Sequence, residues 1–319
     1  MNKSVIKNSM FLLFLIFILM SISSKSMLFI WICLELNLLL FITLNNKLNN
    51  FMMNSMFKYY VIQSISSSLM LLSLIILKNN FNKMFMDNFT LLALWMKLGF
   101  FPFNSWFFQI SENMSWMPWF LLNTAQKLTP MWLITLINIE IKYMYLLIIN
   151  NSLFSAMEIF NQNSLRWMIN CSSLNHFSWM LLSMPSFKNL WEFYFIIYTM
   201  LSYNMMNFMK KNNWNSMINF INNKNLKINL MFSIVLFNFM GIPPFLNFLL
   251  KMMIILNNYN MIIMILISMI NLIIIIIYMK YMINLTSNFL VNKIKKMNFL
   301  YFNNMINSIY LFILLIYII

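Results

Sequence analysis

Lys97-Leu98-Gly99-Phe100-Phe101-Pro102-Phe103 and Gly241-Ile242-Pro243-Pro244-Phe245, the second leading on to Lys251, hold the only two glycines in a chain of 319 residues. Each stretch lies inside a long apolar segment. A helix cannot run smoothly through either one, because proline lacks the N–H that the ladder requires and its ring collides with the preceding turn. Outward from these two points, long apolar runs alternate with short polar clusters. They read as eleven helices at 9–23, 26–44, 57–77, 89–108, 116–137, 141–161, 164–184, 190–209, 228–250, 259–281 and 299–319. Asn45 to Asn54 and Asn212 to Asn229 read as connections, the second with room for a short surface helix.

The composition sets the solvent. Hydrophobic residues make up 62% of the chain and charged residues 8%, against about 25% charged in an ordinary soluble domain. Such a chain cannot cover a water-facing surface with charge, so lipid is its solvent. Backbone in lipid must satisfy its own hydrogen bonds, and nothing in the sequence alternates like a barrel strand, which leaves helices. The expected class is an all-α polytopic membrane protein of about eleven transmembrane helices, residues 1–319 forming a single transmembrane domain. Lys3 and Lys7 followed by Met10 to Met20 imitate a signal peptide, but no small-residue cleavage site follows and the segment reads as a retained first span. The sequon Asn88-Phe89-Thr90 is expected by chance in so Asn-rich a chain.

The two broken segments are the fourth and the ninth, five helices apart. Five helices, a second five with its break in the equivalent place, then one more is the pattern of an internally duplicated transporter. The repeats are expected at 9–137 and 141–281 with a terminal helix at 299–319, and because five is odd the second copy is inverted. Of the 21 Lys and Arg, Lys97, Lys127 and Lys251 fall inside apolar runs. If helices alternate direction, Lys25, Lys78, Lys83, Lys142 and Lys188 fall on one side and the remaining thirteen on the side of the N-terminus. That bias places the N-terminus in the compartment of synthesis and the C-terminus opposite.

The same surplus of cations, +15 overall, forms no stripe and accompanies no recognition fold, so no nucleic-acid partner is expected. Cys33 and Cys171 stand alone inside apolar segments and give neither a disulfide framework nor a metal spacing. One His and scattered Ser make no catalytic triad, and neither a Gly-rich phosphate loop nor a dinucleotide fingerprint is present. Haem and iron–sulfur ligation lack ligands. No cofactor and no metal is expected in this chain. With 2 Gly, 1 Arg and 3 Ala against 35 Met, the residues avoid GC-rich codons, which points to an AT-rich gene and a mitochondrial compartment. In that light, Asn within a span reads as tolerated drift.

The intramembrane charges carry the chemistry. A charge at the bilayer centre costs at least about 2.5 to 3.5 kcal/mol, so each needs a partner or a wet path. Lys58 and Lys280 sit near span ends and can snorkel. Lys97 and Lys127 lie about ten residues into their expected helices, roughly 15 Å of rise, and Glu35 is similarly central. Burial favours the neutral form of an amine or a carboxyl, pairing favours the charged forms, and a Glu–Lys pair titrates as a unit. Forming and opening such a pair therefore moves protons. Glu35, Lys97, Lys127 and Lys251 are the candidate relay, which His176 could extend.

These residues sit in blocks that resemble a known family. The blocks are Trp31-Ile32-Cys33-Leu34-Glu35-Leu36-Asn37, Met96 to Phe103, Gln126-Lys127-Leu128-Thr129-Pro130, Asn161-Gln162-Asn163-Ser164-Leu165-Arg166, Ser172-Ser173-Leu174-Asn175-His176, and Gly241 to Phe245 leading to Lys251. Their order and spacing are similar to those of the chain 2 family of mitochondrial NADH:ubiquinone oxidoreductase, the antiporter-like subunits in the membrane arm of respiratory complex I. The resemblance implies that Glu35 is the paired carboxylate, Lys97 its partner on the first broken helix, Lys127 the central lysine and Lys251 the lysine after the second break. It implies proton translocation coupled to quinone reduction elsewhere in the complex, with NAD, FMN, iron–sulfur clusters and ubiquinone held by other parts of it. Other membrane-arm and accessory subunits become the expected partners, together with lipids such as cardiolipin. The inner mitochondrial membrane becomes the expected site, with the N-terminus in the matrix and the C-terminus in the intermembrane space. The family's animal members lack three N-terminal helices of bacterial relatives, and a start just before the Glu35 helix agrees with that. Phe108-Gln109 stand where the family usually has Pro-Glu, and Ile159-Phe160 replace a Gly pair. A free-standing proton or cation antiporter and a scaffold without its own proton path are the competing readings.

Overall fold

A computed structural model of the chain describes residues 3–45, 50–77, 83–137, 141–160, 164–185, 189–212, 214, 226–243, 245–258 and 260–290. Among them lie thirteen helices: α1 (Lys3–Ser23), α2 (Met27–Asn45), α3 (Asn50–Leu77), α4 (Lys83–Leu98), α5 (Ser105–Asn113), α6 (Trp116–Asn123), α7 (Ala125–Leu136), α8 (Ile141–Ile159), α9 (Leu165–Ser183), α10 (Leu190–Asn212), α11 (Leu226–Met240), α12 (Leu246–Asn257) and α13 (Met261–Leu290). The all-α class read from the sequence is the one the described residues adopt. Met27–Asn45, with 19 residues, and Met261–Lys280, with 20, are long and apolar enough to cross a membrane.

The chain divides into two units, Met1–Leu147 and Ile148–Ile319, with the boundary inside α8. In the first unit α3 packs on α4 and α5, α2 on α1 and α3, and α7 on α1, α4 and α6. In the second, α10 packs on α9, α11 and α12, while α12 also meets α9 and α11, and α13 meets α11.

Side-chain polarity is turned inside out. Leu256, Ile262, Phe57, Leu19 and Met157 are among the large apolar residues facing outward, whereas Ser66, Asn151, Ser152, Asn170, Ser173 and His176 are buried. Every residue from Met168 to Ser183 in α9 is buried, nine apolar and seven polar or His by the sequence. Lipid is as apolar as leucine, so helices of this kind associate through close packing and hydrogen bonds and not by hiding apolar surface. The buried serines bond back to their own helix: Ser66 Oγ donates to the Gln63 carbonyl at 2.7 Å, Ser73 to Met70 at 2.6 Å, Ser173 to Asn170 at 2.7 Å. This local bond satisfies a hydroxyl without a partner helix. Asn151 reaches across instead, its Nδ2 donating to the Leu174 carbonyl and to Ser178 Oγ. Tyr278 Oη likewise ties α13 to α9 through the Met168 carbonyl at 2.9 Å.

Several expected boundaries need correction. α3 begins at Asn50, where a connection and a start at 57 were expected. Its 28 residues rise about 42 Å, more than the roughly 30 Å of hydrocarbon, so a helix continues into the polar zone that composition alone reads as loop. The expected helix at 89–108 is instead α4, a turn, and α5, which extends to Asn113. The expected helix at 116–137 divides at Thr124, the residue between α6 and α7, with φ of −117° and ψ of −76°. Asn123 Nδ2 turns back to the Trp119 carbonyl at 3.2 Å and Thr124 Oγ1 to Phe120 at 2.8 Å. Pro130, inside α7, cannot donate to Gln126. The helix expected at 299–319 lies outside the described residues.

Candidate functional site

Both glycines sit one residue past a helix end, at φ of 67° for Gly99 and 75° for Gly241, a left-handed conformation that only glycine adopts without strain. After α4, Gly99 N donates to the Met96 carbonyl at 3.2 Å and Phe100 N to Trp95 at 3.3 Å. Those two bonds make a Schellman cap. After α11, Gly241 N and Ile242 N both donate to the Phe237 carbonyl, at 3.1 and 3.4 Å. A helix that stops this way inside an apolar segment leaves its last carbonyls without backbone partners, and buried carbonyls must find donors.

The donors are side chains, and they include candidate relay residues. In the first unit Gln63 Nε2 of α3 donates to the Lys97 carbonyl at 3.2 Å. In the second unit the Phe239 carbonyl accepts from His176 Nε2 and from Asn247 Nδ2, each at 2.8 Å, while the Met240 carbonyl accepts from Lys251 Nζ at 2.7 Å. Each break thus exposes a patch of negative carbonyl dipole and places a lysine on or beside it.

In the first unit Lys97, 7% exposed, approaches Glu35 of α2 with Nζ 3.8 Å from Oε1. That separation is an ion pair beyond hydrogen-bond reach. Lys127, 2% exposed, stands with Nζ 4.1 Å from the centre of the Phe107 ring and 5.7 Å from that of Phe100, so the negative ring faces take part in holding the ammonium. Lys97 and Lys127 line one cavity of about 10 Å³ together with Tyr59, Gln63, Trp106 and Gln126, room for about one water. The structure therefore brings Glu35, Lys97 and Lys127 together. It also corrects where the lysines stand. Lys97 is one residue from the end of α4 and Lys127 is in the first turn of α7, so both flank breaks and neither is deep within an unbroken helix.

In the second unit Lys251 of α12, 3% exposed, also donates to Asn271 Oδ1 at 2.8 Å, and its Nζ lies 5.9 Å from the Trp179 ring centre. His176 joins it on the neighbouring carbonyl. Facing the Phe239 carbonyl, His176 Nε2 must carry a hydrogen, so Nδ1 accepts from the Tyr194 hydroxyl at 2.9 Å. Asn247 Nδ2, 3.4 Å from His176 Nε2, then also faces a donor, and its hydrogen bond goes to the carbonyl. Cys33 and Cys171 are buried and free.

Sequence reasoning missed Gln63, Phe107, Tyr194, Asn247 and Asn271. A buried amide in an apolar run is a signal, but Asn in a span was read as drift and Gln63 was not singled out. At the departure from the family pattern, Lys58 Nζ donates to Gln109 Oε1 at 3.0 Å on the exposed surface, so a neutral acceptor takes the contact there.

Inverted polarity, helices broken at left-handed glycines and buried lysines beside the freed carbonyls define a transporter-like membrane protein. The model of the family described as NADH:quinone oxidoreductase/Mrp antiporter, TM, matches residues 24–277, and the chain belongs to that family. NADH-ubiquinone oxidoreductase chain 2 of Anopheles gambiae is 37% identical over 264 residues, covering 79% of this chain and 77% of the relative. The protein of the same name from Locusta migratoria is 33% identical over 256 residues, covering 76% and 75%. A chain of respiratory complex I from Thermus thermophilus shares the fold with a TM-score of 0.74 at 13% identity, over 83% of this chain. This chain spans 66% of that bacterial chain's length.

Proposed function

We propose that this chain is a membrane-arm subunit of respiratory complex I that takes part in proton translocation coupled to electron transfer from NADH to ubiquinone. The observation that carries the reading is the Glu35–Lys97 ion pair opening on the cavity that Lys127 also lines. An ammonium in low dielectric is held there by its counter-ion, and when a pair opens, the proton is the charge that moves. Withdrawal of Glu35 frees a proton of Lys97 to pass by one water to Lys127 when that amine is neutral; return of Glu35 draws a new proton onto Lys97 from the aqueous side and resets the pair. In the second unit His176, held between the Tyr194 hydroxyl and the Phe239 carbonyl, stands beside the carbonyl that holds Lys251. Glu35, Lys97, Lys127 and Lys251 are the relay and His176 its extension.

The names of the curated relatives support membership of a multi-subunit NADH–ubiquinone oxidoreductase; on this reading the redox cofactors lie in other subunits, and other membrane-arm subunits and lipids such as cardiolipin are the partners. The animal relatives support an inner mitochondrial membrane protein, and the cation bias supports an N-terminus in the matrix and a C-terminus in the intermembrane space. The left-handed glycine one residue past a helix end at both Gly99 and Gly241 supports two inverted five-helix repeats, 9–137 and 141–281, followed by a terminal helix.

Replacing Lys127 by Met tests the reading in the assembled complex. Assembly is expected to persist while coupled turnover falls; an unchanged ratio of protons to electrons overturns the role of Lys127. Isolation of the chain from native membranes without redox subunits would favour a free-standing antiporter. Undiminished proton transport after joint replacement of Lys97, Lys127 and Lys251 would favour a scaffold.

A further inference from the structure

Lys251 is held by two oxygens of different kinds. One is the Met240 carbonyl released by the break, at 2.7 Å; the other is Oδ1 of Asn271, at 2.8 Å. Asn271 lies on α13 between Ile270 and a run of Leu and Ile, and it is buried. Its Oδ1 accepts a second hydrogen bond from Asn175 Nδ2 of α9 at 3.0 Å. Two donors converge on this one oxygen. Turning the carboxamide over would set its own NH₂ against the ammonium and against Asn175, donor against donor, so the orientation is fixed by chemistry. Asn175 is likewise fixed, since its oxygen in that place would face Asn271 Oδ1.

The geometry points to Asn271 as the positioning residue for Lys251, buttressed by Asn175. Three helices converge: α12 supplies the amine, α13 the oxygen that aims it, and α9 the amide that aims the oxygen. With two of the three ammonium hydrogens directed to Met240 and Asn271, the third is presented in one direction, to a water or a neighbouring relay group. Asn271 accepts without carrying charge, so it orients the amine without itself taking or trapping the proton. Asn175 precedes His176 on α9, whose ring holds the adjacent carbonyl of Phe239. One helix turn thus fixes both groups at the second break.

This inference rests on the proton-relay reading proposed above, and the experiment separates the two. In membranes carrying the assembled complex, coupled turnover, proton uptake per electron and native assembly are compared for Asn271→Leu, Asn271→Gln, Asn175→Ala and Lys251→Met. Asn271→Leu keeps the number and branching of side-chain heavy atoms and removes the acceptor. A hydrogen bond to a charged group is lost, and coupled turnover is expected to fall about tenfold or more. Asn271→Gln, which retains a carboxamide oxygen, restores most of it, a recovery that a purely structural role would not give. Asn175→Ala leaves Asn271 in place and gives a smaller fall, roughly threefold, and it serves as the deciding variant if Asn271→Leu does not assemble. Undiminished turnover in Asn271→Leu or Asn175→Ala alongside loss in Lys251→Met overturns the assignment of Asn271 and leaves the relay standing. Equal impairment of the Leu and Gln variants in assembled complex also overturns it. Undiminished turnover in Lys251→Met removes the relay reading itself.

Discussion

A side chain at Gly99 would place Cβ 2.8 Å from Trp106 Cζ2 and 3.0 Å from Phe107 Cβ. Left-handed backbone adds about 1–2 kcal/mol of strain for any other residue. Trp106 lines the cavity and Phe107 faces Lys127, so Gly99→Ala disturbs the site as well as the turn. It is expected to lower the thermal midpoint of the detergent-solubilised protein and to reduce coupled turnover; a parental midpoint would show that the turn relaxes freely. At Gly241 the obstacle is the backbone of Asn247, at 3.2 Å, which cannot swing away as a side-chain tip can. Gln63→Leu removes the donor to the Lys97 carbonyl. Leaving a buried carbonyl short of its donor costs about 1–3 kcal/mol, measurable as a loss of unfolding free energy in a denaturant titration. The sequence identified both glycines and all the lysines at this scale. It did not identify Gln63, because a glutamine earns its role only from the carbonyl it meets 34 residues away.

The helix breaks differ in how plainly residue type announces them. α4 and α11 end where glycine and proline leave no alternative, and the segments containing them were read correctly as interrupted. The division between α6 and α7 has no glycine. Its causes are Asn123 and Thr124 bonding backward and Pro130 failing to donate, each tolerated singly in many membrane helices. This quieter break sets Lys127 in the first turn of α7. Pro130→Ala restores the missing N–H and is expected to leave thermal stability unchanged or raised while coupled turnover falls, because a straighter helix moves the Lys127 amine relative to Phe107. Retained turnover with a stiffened helix would show that Pro130 has no part in placing Lys127.

Among the described residues, many large apolar side chains face outward while serines, asparagines and three lysines are buried beside the apolar core. Met269 on α13 is 58% exposed near the middle of the apolar stretch Met261–Lys280. Met269→Lys sets a charge against lipid with no partner, at a cost of about 2.5–3.5 kcal/mol on insertion scales, and is expected to cut the membrane-inserted fraction in an in vitro translocation assay. Lys251, buried in the same unit, inserts because carbonyl, carboxamide and ring receive it. Equal insertion of the Met269→Lys variant would mean that this face of α13 is covered by protein and not by lipid.

Residue counts and spacing by themselves determined that the chain dissolves in lipid, that it is helical, where two of its helices break and that Lys97, Lys127 and Lys251 are buried, since all of these follow from solvation costs and backbone sterics that act locally; Glu35, expected to be as central, is half-buried. Only tertiary structure decided what meets each charge: Phe107 against Lys127, Gln63 on the Lys97 carbonyl, and Asn271 on Lys251 with Asn175 behind it, 20 and 96 residues distant in sequence. Those partners are set by which helix faces pack together. In a chain so rich in Asn, Ile and Met, one polar amide among many looks alike in sequence until packing brings it to an amine.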